Sequence, residues 1–311
     1  MIKLNLKNNN AKKNNSGKKK THFKIKMRGL TDIIKQHKWT FAVYIVLRTF
    51  VIIALVISCI RGQYENAFVC VLSLILFIAP AFITANFGIQ FPSTMEIIVL
   101  LFIFAAEILG EIQCYYLKFP YWDVMLHTLN GFLCAACGFG LVDILNKNPK
   151  IKFNLSPFFL AMTAFCFSMT IGVLWEFFEF GCDTFLHKDT QKDTVIHMIS
   201  SVELNPDGSN TPVIIDNINE VIVNGQELGV GGYIDIGLID TMQDLFVNFI
   251  GASVFSVIGF FYVKSRGKGK FVRRFIPTLA EKYIIDSESS DNEMKAQDCD
   301  EAEPKHCDNS Q

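Results

Sequence analysis

The chain has 311 residues, half of them hydrophobic, with 29 Phe, and its Lys and Arg nearly balance its Asp and Glu. A mean hydropathy of +0.30 is too apolar for an ordinary soluble domain of this length. No phosphate-cradling loop, nucleophile elbow or nucleic-acid surface stands out, so soluble-enzyme and nucleic-acid-binding readings are set aside.

Residues 1–38, with "NNNAKKNNSGKKK", cannot bury a core and are expected to form a basic, disordered cytoplasmic arm. Six apolar segments follow, near 41–60, 66–86, 94–116, 123–145, 157–180 and 239–263, and each reaches the roughly 20 residues that a spanning helix needs. Residues 39–265 therefore read as an all-α polytopic bundle of about six transmembrane helices in the lipid bilayer. The first 40 residues hold twelve Lys and Arg, Lys147, Lys150 and Lys152 follow the fourth segment, and Lys264, Arg266, Lys268, Lys270, Arg273 and Arg274 follow or close the sixth. The alternate loops hold few, so the positive-inside bias places both termini in the cytoplasm.

The first segment begins too late for a usual secretory signal. "VISC" at 56–59 resembles a lipoprotein cleavage site, but Arg48 interrupts its leader, and Cys59 reads as a packed helix residue. Nine cysteines fit no disulfide framework. Cys134 and Cys137 read as small packing residues on a membrane helix, and for Cys114 and Cys182, at outer helix ends, pairing is the minority reading. Trp39, Trp122, Trp175, Tyr115, Tyr116 and Tyr121 fall near expected interfaces as an aromatic belt. Gly131, Ala135, Ala136, Gly138 and Gly140, with Gly251 and Ala252, offer small faces for close helix packing.

The loop 184–238 is too long for a plain connection and carries its own turn chemistry. "EVIVNGQEL" sets an Asn-Gly turn between alternating residues, which predicts a small β-hairpin over the outer face, structural rather than a lid. Residues 266–311 read as a cytoplasmic tail, basic and then acidic and disordered, in which His306 and Cys307 are an incidental pair.

The ionisable residues inside the apolar segments carry the functional signal. Glu107 and Glu111 lie on the third segment, Asp123 and His127 at the start of the fourth, Glu176, Glu179 and Asp183 at the end of the fifth, and Asp240, Asp244 and Asn248 at the start of the sixth. Spacings of three and four residues put each set on one helix face. A charge in hydrocarbon costs about 2.5–3.5 kcal/mol on insertion scales, so these groups are expected to face one another or a polar cavity near the outer leaflet. Arg48 and Glu107 fall at similar depth and are expected to form a buried ion pair. Carboxylates and an imidazole on facing helices resemble ligand sets for a divalent metal ion, with His127, Glu176, Glu179 and Asp244 as the ligands and bound water as nucleophile. A proton or cation relay and a purely structural network remain open beside it.

"YWDVMLHTLNGF", "GVLWEFFEF" and "IDTMQDLFVNFIGA" resemble the signature of the YjdF-like bacterial membrane proteins, over about residues 40–265. The resemblance implies a bacterial cytoplasmic membrane protein with a shared polar motif and assigns no reaction. More distantly, Asp123, His127, Glu176, Glu179, Asp244, Asn248, Gly251 and Ala252 fall in an order similar to VanZ-like proteins, which are associated with glycopeptide tolerance; Trp175, Glu179 and the inserted outer loop depart from that pattern. The leading expectation is a cavity for a lipid headgroup, an envelope precursor or a cation. The rivals are a proton- or ion-coupled transporter that titrates Glu107, and a structural envelope protein.

Overall fold

The computed structural model describes residues 38–146 and 155–280. The basic arm, Lys147, Lys150, Lys152 and the acidic tail with His306 and Cys307 lie outside the described residues. The chain divides into two units, whose described parts are 38–82 with 93–113, and 83–92 with 114–146 and 155–280.

In the first unit, α1 (Lys38–Ile60) packs against α2 (Tyr64–Leu76) and α4 (Ser93–Ile103). Leu47, Val51, Cys70, Phe77, Leu100, Ile103 and Ile108 form its core. After α2 the chain breaks for two residues and continues as α3 (Ala79–Phe87). Pro80 accounts for the break, because it has no N–H to offer the Leu76 carbonyl one turn back. The third expected span departs from a plain helix. α4 runs directly into a π-helix, Phe104–Ile112, and the Gln113 N–H closes it on the Ile108 carbonyl, five residues back, at 3.1 Å. Among the described residues, five helices are long and apolar enough to cross a membrane: Lys38–Ile60, Tyr64–Phe87, Trp122–Asn146, Pro157–Leu186 and Leu238–Lys264. The six expected segments are thus five such helices and one α/π composite.

The second unit takes in the end of α3 from Ile83, β1 (Ile89–Gln90) and the short α5 (Tyr115–Lys118), and is built on three helices that pack pairwise: α6 (Trp122–Asn146), α7 (Pro157–Leu186) and α8 (Leu238–Lys264). Pro157 occupies the first turn of α7, and Ser156 accepts the Phe159 N–H at 3.2 Å, so a cap and a breaker fix that start. Small residues set the helix spacing. A Cβ on Gly251 of α8 would lie 2.0 Å from the Thr128 carbonyl oxygen, and one on Gly131 of α6 would lie 2.3 Å from the Asn248 carbonyl oxygen. Ser168 of α7 donates to the Gly131 carbonyl at 2.7 Å, tying the third helix in at the same level. Phe177, Phe178, Phe180, Phe246, Val254 and Val257 are turned outward, whereas Ala135, Ala136, Ser168 and Ala252 are inside. Large apolar groups outside and small or polar groups inside is the arrangement a bilayer permits and water opposes.

The 187–237 loop is folded on itself. β2 (Val195–Ile196) pairs with β7 (Tyr233–Ile234), β3 (Ile199–Ser201) with β4 (Val213–Ile215), and β5 (Ile222–Val223) with β6 (Gln226–Glu227), all antiparallel. The last pair is the expected hairpin, with Asn224 and Gly225 both at positive φ as its tight turn demands. After α8 the chain turns back rather than trailing off as a tail. Phe275 packs edge-on against Phe132, a Cβ on Gly140 would lie 2.4 Å from Pro277, and β8 (Thr278–Leu279) pairs with β1. Residues up to 280 are therefore part of the fold.

Candidate functional site

The polar groups gather at one end of the three-helix unit, where α6 and α8 begin and α7 ends. Asp123 and His127 occupy the first two turns of α6, Asp244 and Asn248 successive turns of α8, and Glu176 and Glu179 the second half of α7. At about 1.5 Å per residue, the 30-residue α7 is about 45 Å long, more than a hydrocarbon core of about 30 Å.

His127 is the hub. Its Nε2 lies 3.5 Å from Asp123 Oδ1 and 3.7 Å from Asp244 Oδ2, and its Nδ1 lies 3.9 Å from Glu176 Oε1. Glu176 is 5% exposed and Asp244 and Asn248 are each 1% exposed. Both carboxylate oxygens of Glu176, Oε2 of Glu179, Oδ1 of Asp244 and Oδ1 of Asn248 are buried with no hydrogen-bond partner among the described residues. Native interiors rarely leave so many acceptors unmet in one place. Asn248 uses its amide to donate to the Met169 thioether at 3.6 Å, and Gly172 leaves room for it, since a Cβ there would lie 2.6 Å from Asn248 Nδ2.

Two of the expected cavity residues are engaged elsewhere. Asp183 accepts the Thr190 N–H and hydroxyl, each at 2.6 Å, and the Gln191 N–H at 2.9 Å. Asp240 accepts the Lys192 N–H at 2.8 Å, and Gln191 donates through its side chain to Thr241. These carboxylates moor the loop across the ends of α7 and α8. Asp235 completes the mooring by accepting Thr194 N–H at 2.7 Å and Ile239 N–H at 2.8 Å, which caps α8. Sequence reasoning passed over Asp235; the signal available was an Asp three residues ahead of a helix start, beside Gly237. Burial, and then the carboxylates of Asp189, Asp235 and Asp183, push the Asp193 carboxyl up.

Glu107 and Glu111 stand on the π-helix of the first unit, Glu107 half-buried and Glu111 exposed. The ion pairs of the described residues do not join Arg48 to Glu107. Arg48 instead donates to the Tyr44 hydroxyl, one turn away, and its guanidinium carbon stands 5.5 Å from the centroid of that ring. No disulfide joins Cys114 to Cys182, and Cys134 donates to Asn130 Oδ1 at 3.4 Å within its own helix, as a packing residue would.

Two overlapping sets of donor atoms emerge: Asp123, His127 and Asp244, and Glu176, Glu179 and Asp244, with the atoms of each set within 4.8 Å of one another. One imidazole among carboxylates suits a divalent ion of the hard to borderline kind.

Fold and site together define a polytopic α-helical membrane protein. The chain belongs to the family described as predicted membrane protein (DUF2238), whose model matches residues 43–265. No curated protein and no solved structure matches it.

Proposed function

We propose that this is a bacterial cytoplasmic-membrane protein whose Asp/Glu/His cavity binds a divalent cation at the outer leaflet, where that cation meets a lipid headgroup or envelope precursor. The observation that carries the reading is Glu176, buried with both oxygens unpartnered and 3.9 Å from His127. An ionised carboxylate in that setting calls for a positive charge, and the ion pair that Glu176 makes among the described residues goes to the imidazole alone. The orientation rests on charge. Lys147, Lys150 and Lys152 and the basic run 264–274 lie in sequence at the ends of α6, α7 and α8 opposite the cavity, which puts the cavity outside under the positive-inside bias. The YjdF-like resemblance fits this placement.

The test is elemental analysis of detergent-purified protein beside His127→Ala and Glu176→Gln variants that retain wild-type helicity and gel-filtration behaviour. Stoichiometric metal in the wild type, reduced in both variants, supports the reading. A metal-free wild type that also binds none on titration would leave a structural network or a transporter as the function. Glu107, half-buried on the π-helix, favours the transporter as second reading, because wide turns of this kind recur at functional sites. Proton-coupled flux in proteoliposomes that vanishes with Glu107→Gln would establish it.

A further inference from the structure

We infer that the cavity holds two divalent cations bridged by Asp244; the inference rests on the cation-binding reading above and deepens it. The donor atoms form two sets rather than one, and Asp244 is the member common to both. Its two oxygens are in different situations. Oδ2 stands 3.7 Å from His127 Nε2, beside the first set, while Oδ1 has no hydrogen-bond partner. A carboxylate that offers one oxygen to each of two ions is the usual means of holding them about 3.5–4 Å apart.

Charge balance points the same way. Asp123, Asp244, Glu176 and Glu179 bring four negative charges when ionised, and the ion pairs they make among the described residues go to His127 alone. Lys192 acts on Asp123 and Asp240 through space, but its backbone N–H is held by Asp240 and its ammonium donates to the Asp189 carbonyl. One divalent ion would leave two charges uncompensated among apolar helices; two ions with a neutral imidazole balance all four. The unpartnered oxygens of Glu176 and Glu179 then become ligand atoms of the second ion. The first set, with one nitrogen and two carboxylates, and the second, with oxygen alone, both suit Mn²⁺. A pair at this spacing is fitted to grip a phosphoryl oxygen from two sides, which specifies the headgroup class as phosphate-bearing.

The experiment is titration of chelator-stripped, full-length protein in detergent with Mn²⁺, reading bound manganese per chain and the electron paramagnetic resonance spectrum. Two Mn²⁺ per chain with a spin-coupled spectrum is the expected result. Asp123→Asn and Glu179→Gln should each retain one ion with an uncoupled six-line signal, and Asp244→Asn should abolish the coupling. One ion per wild-type chain, two uncoupled ions, or coupling that survives Asp244→Asn would overturn the bridged pair and leave the cation-binding reading standing. No binding up to millimolar Mn²⁺ would overturn both.

Discussion

Gly251 is seated on the Thr128 carbonyl: a Cβ at Gly251 would come within 2.0 Å of that oxygen and 2.9 Å of the Phe132 nitrogen. Both obstacles are backbone and cannot swing aside, so α6 and α8 must part before any larger residue fits. Gly251→Ala should lower stability by about 1–3 kcal/mol, the usual cost of overpacking. Gly181→Ala on α7, where a Cβ meets nothing within 4 Å, should cost nothing and serves as control. Thermal unfolding in one detergent checks both, and equal melting temperatures for the two variants would remove close packing as the reason the polar ends converge.

That contact also shows what the sequence reveals and what it hides. Asp123 with His127 and Asp244 with Asn248 are legible because four-residue spacing puts each pair on one helix face, and because polar groups in apolar runs must look inward. Gly251 and Gly131 are legible as small, but not as the points where one backbone rests on another. The separate duties of Asp183 and Asp240 are hidden altogether. They share helical spacing with the inward groups, and only the path of residues 190–192 shows that their acceptors belong to the loop. The return of 275–279 is hidden for another reason: a short Phe-Ile-Pro stretch after a basic run is indistinguishable by pattern from a linker, and its partners, Phe132 and Gly140, are distant in sequence. The π-turn at Phe104–Ile112 leaves no mark in hydropathy, because widening a turn does not change composition.

The mooring of the loop gives a local prediction. Asp183 takes three hydrogen bonds from Thr190 and Gln191, and bonds to a charged acceptor are worth about 1.5–3 kcal/mol each where they are protected from water. Asp183→Ala should speed hydrogen exchange of peptides covering 188–194 by at least an order of magnitude, with little change in the melting temperature of the helices. Asp183→Asn, which keeps an acceptor oxygen, should fall between. Exchange unchanged in the alanine variant would mean that the strand pair 195–196 with 233–234 holds the loop unaided.

The hairpin at 222–227 tests the turn. Gly225 sits at φ +81° and Asn224 at φ +52°. Asn tolerates that region and Gly occupies it freely, whereas an L side chain pays about 1–2 kcal/mol. Gly225→Val should therefore open the hairpin to limited proteolysis between 220 and 229, while Asn224→Gly leaves the cleavage rate at the wild-type value. Resistance of the valine variant would show that the flanking strands, not the turn, fix this segment.

Glu176 provides the sharpest separation of stability from function. Its buried carboxylate is a liability to the metal-free fold, since the neighbouring carboxylates of Asp240 and Asp123 repel it and neither of its oxygens has a hydrogen-bond partner of good geometry among the described residues. Replacement by Gln removes the charge and keeps the shape. In chelator, Glu176→Gln should unfold at higher temperature than wild type, by the equivalent of about 1–3 kcal/mol. In divalent cation the order should reverse, because a ligand at a hundred times its Kd stabilises the wild type by about 2.7 kcal/mol and the variant has lost a ligand atom. Melting curves of both proteins with and without Mn²⁺ contain the whole test. A Gln variant that is less stable in both conditions would mean that Glu176 is a structural anchor whose hydrogen bonds matter more than its charge.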